Sequence, residues 1–325
     1  MIDRRALMAG TLSGLAVASM TSPALADATM DWPAPAASLP LWPHDAPGAL
    51  GKVPTERLTE RSKSAAYKDR AYDQIGHPRL DIFPAATPNG AGVLIIPGGG
   101  YQRVVIDREG YEMAAWFNAR GITAFVLFYR LPAEGWADAA NVPLADAQRA
   151  MRLIRLHASA LHVDPERLMA MGFSAGGHLC ADLATRFDTK VYAPVDSADV
   201  LAARPTLAAP IYPVVSMAAP VAHQGSRTNL LGLNPTPEQE AAHSPDRNVR
   251  TDSPPCFLVH AEDDPVVPVA NTLLLHTALK GAKVPVELHL FERGGHGFAM
   301  RNAVGLPAFI WPELFLSWAG THIKL

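Results

Sequence analysis

Cysteine is nearly absent from this sequence: Cys180 and Cys256 are the two it has, and neither C-x-x-C nor H-E-x-x-H occurs. Those spacings build zinc and thiol–disulfide centres, so no metal site is expected. Both cysteines fall on apolar stretches that read as core elements, where a free thiol packs as a small hydrophobe. An exported chain would also permit a disulfide between them. A large excess of charge of one sign is missing too. The net charge is −3 with 18% charged residues, a balance that excludes an extended basic surface for nucleic acid. Arg149, Arg152 and Arg155 do recur along a helix expected over 144–161, but its apolar stripe places them on the solvent side. The glycines Gly98-Gly99-Gly100 are followed by no G-K-[ST] and show no G-x-G-x-x-G spacing, which excludes both phosphate loops. There is no internal repeat, and after residue 26 no apolar run is long enough to span a bilayer.

What is present begins with a leader. Arg4-Arg5 open a charged segment, Ala6 to Met20 are mostly apolar, and Ala24-Leu25-Ala26 is an A-x-A cleavage site. The pattern reads as a twin-arginine export signal over 1–26, so the expected location is periplasmic or secreted. Residues 27–78 are proline-rich and aperiodic, an arm that Trp32 and Trp42 would anchor over a domain formed by 79–325. From 80 to 291 strand-like and helix-like segments alternate. Leu80 to Phe83, Gly92 to Ile96, Ile122 to Phe128 and Leu207 to Ile211 read as strands, and Glu109 to Arg120 reads as a helix. This predicts an α/β fold, a mostly parallel central sheet with helices on both faces. Residues 213–255 break the alternation and are expected to form a small cap-like insertion over the site.

The chemistry gathers at Gly172-Phe173-Ser174-Ala175-Gly176. This is G-x-S-x-G, with a short apolar strand before it and a helix without Gly or Pro after it. Strand, tight turn and helix are the context in which this motif holds a serine hydroxyl at the tip of a strained turn, the nucleophile elbow of α/β-hydrolases. A serine needs a base, and the base needs an acid to orient it. In that fold the chain order is Ser, then Asp or Glu, then His. The strand Cys256 to Ala261 is followed by Glu262-Asp263-Asp264, and the alternating strand Val286 to Phe291 is followed by Gly294-Gly295-His296-Gly297. Ser174 and His296 are therefore the candidate nucleophile and base, and the acid is one of Asp264, Asp263 and Glu262. The backbone N–H groups of Gly99 and Gly100, in the loop after the strand Gly92 to Ile96, are candidates for an oxyanion hole shared with the N–H of Ala175. His178 and His260 read as packing histidines, and Asp146 as a helix-surface or buried hydrogen-bonding group.

Several motifs recur together here: Pro40-Leu41-Trp42-Pro43, Pro97-Gly98-Gly99-Gly100-Tyr101, Asp146-Ala147-Gln148-Arg149-Ala150, the elbow, His223-Gln224-Gly225-Ser226-Arg227, Asp264-Pro265-Val266-Val267-Pro268 and Arg293-Gly294-Gly295-His296-Gly297-Phe298. In this combination the chain resembles the bacterial α/β-hydrolase esterases of the acetyl xylan esterase and acetylesterase type, relatives of the hormone-sensitive-lipase-like carboxylesterases. Pro97 stands where many relatives have His. The resemblance implies a Ser174–Asp264–His296 triad, no cofactor, and removal of small acyl groups, often from plant polysaccharide fragments. The implied partner is a small ester or an acetylated carbohydrate, with no nucleic acid and no membrane span after signal cleavage. A broad short-chain carboxylesterase, a serine exopeptidase and a non-catalytic binding protein stay open as alternatives.

Overall fold

The computed structural model describes residues 32–325, so the export signal expected over 1–26 lies outside the described residues. Eleven strands and seven α-helices are laid out from Ala37 to Ala319. Continuous apolar runs make the centre. Strands β5 (Gly92–Ile96), β7 (Thr123–Phe128), β8 (Leu168–Phe173) and β10 (Cys256–Ala261) are buried at every residue, as strands covered on both faces must be. With β1 (Ala37–Pro40), β4 (Arg79–Phe83), β9 (Ala208–Ile211) and β11 (Val286–Phe291) they form one sheet in the order β1-β4-β7-β5-β8-β9-β10-β11. Pairing is antiparallel for β1–β4 and β4–β7 and parallel from β7 through β11. Strands β2 (Arg57–Glu60), β3 (Arg70–Asp73) and β6 (Val104–Val105) make a separate small sheet.

Successive strand residues point to opposite faces, and β8 shows what each face carries. Gly172 lies against Cys180 of α3 (Ala175–Arg186), whereas the Phe173 ring meets Trp311 of α7 (Trp311–Ala319) at 6.1 Å between centroids. Helix α3 packs with α2 (Val142–Leu156). On the other face α7 meets α1 (Glu112–Asn118) through Phe315 and Phe117. The insertion 213–255 contributes α4 (Gln224–Leu231) and α5 (Pro237–Ala242), and α6 (Ala270–Gly281) follows β10. The helix expected over Glu109 to Arg120 starts instead as a π-turn, Asp107–Tyr111, and becomes α-helical at Glu112. Among the described residues no helix is long and apolar enough to cross a membrane. Both cysteines are buried and free.

Two sequence expectations are corrected here. Regular structure begins at Ala37 rather than near Arg79, because the start of the arm pairs with β4 as an edge strand. Trp42 does anchor it: the ring is buried and its indole N–H donates to Asp146 at 2.9 Å. The arginines of α2 do not form a solvated face. Arg149 is 1% exposed and donates to the Leu41 carbonyl and to Asp196, Arg152 reaches the Leu201 carbonyl and Tyr192, and Arg155 reaches the carbonyls of Ala202 and Arg204. An apolar stripe locates one side of a helix. It does not reveal that polar chain from elsewhere will cover the other side and need donors there.

Candidate active site

The elbow is set by close approach of backbone. A Cβ on Gly176 would fall 2.2 Å from the Ile96 carbonyl, and one on Gly172 would fall 2.1 Å from the Gly176 carbonyl. Only hydrogen fits at either position. Ser174 between them is held at φ 54°, ψ −117°, a conformation a non-glycine residue adopts at a cost of about 1–3 kcal/mol. Its N–H donates to the Ile211 carbonyl, and its own carbonyl accepts from His178 and Val214. The turn is over-determined by neighbours on both sides, as stored strain requires.

The structure brings together the three residues that the sequence put forward. The Ser174 hydroxyl lies 2.8 Å from His296 Nε2, and His296 Nδ1 lies 2.7 Å from Asp264 Oδ2. An ionised carboxylate only accepts, so Nδ1 carries the ring proton and Nε2 is left to accept from the hydroxyl. Asp264 Oδ1 accepts from the N–H groups of Val266 and Val267. Burial raises the Asp264 carboxyl, but hydrogen bonds from His260 and then His296 outweigh it and hold the group well below the ordinary carboxylate range. The rival acid has another task. Asp263 Oδ1 accepts from the N–H groups of Gly294 and Gly295, at 2.8 and 2.7 Å, and so ties down the loop that carries His296. Glu262 is exposed.

His260 is a fully buried strand histidine, as expected, and it also touches the acid. Its Nε2 lies 3.2 Å from Asp264 Oδ2 and 3.1 Å from the Val267 carbonyl, while Nδ1 meets the Thr272 hydroxyl at 2.6 Å. Two acceptors at Nε2 place the proton there. Its signal in the sequence was the i, i+4 spacing to Asp264 across the strand end. His178 sits one helical turn after the elbow, fully buried, with Nε2 2.8 Å from the His243 carbonyl and Nδ1 2.7 Å from the Tyr101 hydroxyl. Burial pushes it down to about 4, so it is neutral and accepts from Tyr101. This fastens the end of the Gly98-Gly99-Gly100 loop to α3. Asp146 is buried, paired with Arg130 at 2.8 Å, and remote in role from the serine.

Ser174 and His296 open onto a cavity of about 310 Å³ that Gly99 and Gly100 also line. Ala175 is fully buried at the start of α3 and is not part of that lining. The insertion supplies His223, Gly225 and Asn229 to the same cavity. Asn229 donates to the Gly100 carbonyl at 2.8 Å. His223 Nδ1 accepts from the Ser226 N–H and hydroxyl, at 3.2 and 2.8 Å, which leaves the proton on Nε2. Burial and then His296 lower this ring from its ordinary value. Both residues belong to the insertion 213–255, expected from the sequence to form a cap over the site, although neither was singled out there as a site residue.

Parallel strands, a strained serine between strand and helix, and an acid and a histidine after later strands define an α/β-hydrolase. The BD-FAE family model matches residues 80–279, and the chain belongs to that family. It is 38% identical over 233 residues to an endo-1,4-beta-xylanase B of Butyrivibrio fibrisolvens, matching 72% of this chain and 35% of that one. It is 32% identical over 227 residues to an acetylxylan esterase of Xylanibacter ruminicola, matching 69% of this chain and 44% of that one. The chain thus spans less than half the length of these two relatives. Among solved structures, an acetyl ester-xyloside bifunctional hydrolase from Caldicellulosiruptor lactoaceticus superposes with a TM-score of 0.73 at 33% identity, covering 88% of this chain and 96% of that one. An esterase of Thermogutta terrifontis with propionate bound gives a TM-score of 0.62 at 25% identity, covering 86% and 97%.

Proposed function

We propose that the protein is a serine carboxylic-ester hydrolase that removes short acyl groups, acetyl above all, from plant polysaccharide or oligosaccharide esters such as acetylated xylan. The observation that carries this reading is the hydrogen-bonded run Ser174–His296–Asp264 opening on one cavity. The substrate class rests on the likeness to proteins named for acetylxylan and acetyl ester–xyloside hydrolysis. The cavity, at about 310 Å³, sits at the small end of ligand pockets and suits an acetyl group with part of a sugar ring.

In this reading His296 Nε2 takes the Ser174 proton as Oγ attacks the ester carbonyl. Asp264 holds the ring in the tautomer that does this and stabilises the imidazolium. The N–H groups of Gly99, Gly100 and Ala175 receive the oxyanion, each worth about 3–4 kcal/mol in the transition state. His296 returns the proton to the leaving alcohol, and water then attacks the acyl-serine by the same route. His223, with a proton on Nε2, offers the alcohol a donor. We also infer export, from the leader over 1–26; a mature chain that does not begin near Asp27 would reject it.

The test is acetate release from acetylated xylo-oligosaccharides and from 4-nitrophenyl esters of rising chain length. Acetyl is expected to be the fastest acyl group, and Ser174→Ala to lower turnover of every ester by about 10⁴-fold or more with the fold intact. Turnover retained in Ser174→Ala rejects the serine mechanism. Intact serine chemistry that favours long acyl chains rejects the acetyl reading alone.

A further inference from the structure

Arginine is the costliest cation to leave without a partner, and most buried arginines of this protein have one. In the catalytic cavity Arg103 and Arg108, both partly buried, form no salt bridge among the described residues, and Arg108 feels only the nearby charge of carboxylates such as Glu109. Arg108 lines the cavity, and its buried Nε has no hydrogen-bond partner among the described residues. Its Nη2 would lie 3.3 Å from a Cβ placed on Gly297, the residue after His296. Arg103 also lines the cavity, one tight turn from Gly99, whose carbonyl accepts the Arg103 N–H at 3.2 Å. Its guanidinium is bonded to the neutral Gln102 amide. The third arginine of the lining, Arg61, is already held by Asp69 at 2.9 Å. The cavity's carboxylate, Glu109, is committed to the Gly98 N–H and the Tyr212 hydroxyl. One guanidinium therefore flanks the candidate oxyanion loop and another the base loop, and together they outweigh Glu109 by one positive charge.

The geometry points to a carboxylate-binding subsite formed by Arg103 and Arg108 next to Ser174, for an ester whose alcohol part carries an acidic group, as a uronic-acid-bearing acetylated saccharide does. This rests on the esterase reading above. An acetyl group has no carboxylate, so under that reading the negative charge belongs to the alcohol. Guanidinium matches carboxylate in plane and spacing, and a fork of N–H donors held at the cavity wall binds it with little rearrangement. A neutral sugar ester would leave these donors to water.

The experiment compares kcat/KM for three esters in wild type, Arg103→Gln, Arg108→Gln and the double variant. The esters are 4-nitrophenyl acetate, which is neutral, 4-acetoxybenzoate, with a carboxylate on the alcohol side, and 4-nitrophenyl hemiglutarate, with one on the acyl side. The ratio of 4-acetoxybenzoate to 4-nitrophenyl acetate is expected to fall about fivefold or more in Arg103→Gln and further in the double variant, and to shrink in wild type as salt is raised. Arg103 is partly exposed, so its variant decides the matter even if Arg108→Gln does not fold. A smaller fall in Arg103→Gln overturns the subsite. A selective fall on the hemiglutarate overturns the alcohol-side assignment. Ser174→Ala, run beside them, separates this failure from failure of the esterase reading, because only the latter leaves Ser174→Ala active.

Discussion

Two groups of buried polar residues, one on α2 and one around Ser174, differ in whether the protein completes them. Behind α2 the group is closed. Arg130 takes both oxygens of Asp146 and the Pro47 carbonyl, Trp42 takes Asp146, and Arg149 takes the Leu41 carbonyl, Asp196 and Asp199. Around Ser174 the group is open. Among the described residues the N–H groups of Gly99 and Gly100 make no hydrogen bond, and Arg108 lines the cavity. Both groups bear the desolvation cost of burial. The closed one recovers it within the fold and so ties the arm to the domain; the open one leaves donors facing the cavity. Counting charged residues would not separate them, whereas counting unanswered donors does.

The comparison can be broken at its strongest point first. Asp264→Asn is expected to lower kcat on 4-nitrophenyl acetate by about 10⁴-fold, because an amide favours the wrong His296 tautomer. A loss under about tenfold would mean that Asp263 or another group orients the histidine. On the closed side, Asp146→Ala strands Arg130 and should cost about 3–5 kcal/mol of stability by denaturant titration, with activity per folded molecule retained. If activity fell while stability held, the cluster would belong to the site after all. Asn229→Ala frees the Gly100 carbonyl and should lower kcat about tenfold with little change in KM, since an ill-placed donor is missed most in the transition state. A KM effect alone would make Asn229 a binding residue.

A further effect is one of pH. Burial lowers His178 to about 4 against an ordinary value near 6.5. The native state therefore binds fewer protons than the unfolded one in that window. Its contribution is full above the ordinary value and is lost progressively as pH falls toward about 4. His178→Gln should flatten the stability profile between pH 4 and 6.5, measured by thermal melts, and an unchanged slope would assign the acid sensitivity elsewhere.

Much of the site could be read before any coordinates because α/β chemistry sits at strand ends. Ser174, Asp264 and His296 each follow a recognisable strand within a few residues, and the glycines around them mark tight turns. Asp264 over Asp263 was implied by the resemblance, whose motif Asp264-Pro265-Val266-Val267-Pro268 it opens, and the geometry gives the two acids different partners. What escaped were residues whose role depends on what packs against them. His260 looked like core and is core, yet it also meets Asp264. The arginines of α2 looked solvated because the chain that covers them comes from 41 and from 192–204.

The sequence by itself determined the alternation of strand and helix and the turn around Ser174 with its two obligatory glycines, since these follow from local periodicity and from backbone that admits no side chain. Tertiary structure alone decided which buried charges are answered within the fold and which face the cavity. That depends on contacts between segments a hundred residues apart, and a donor's partner across such a distance leaves no trace in the spacing around it.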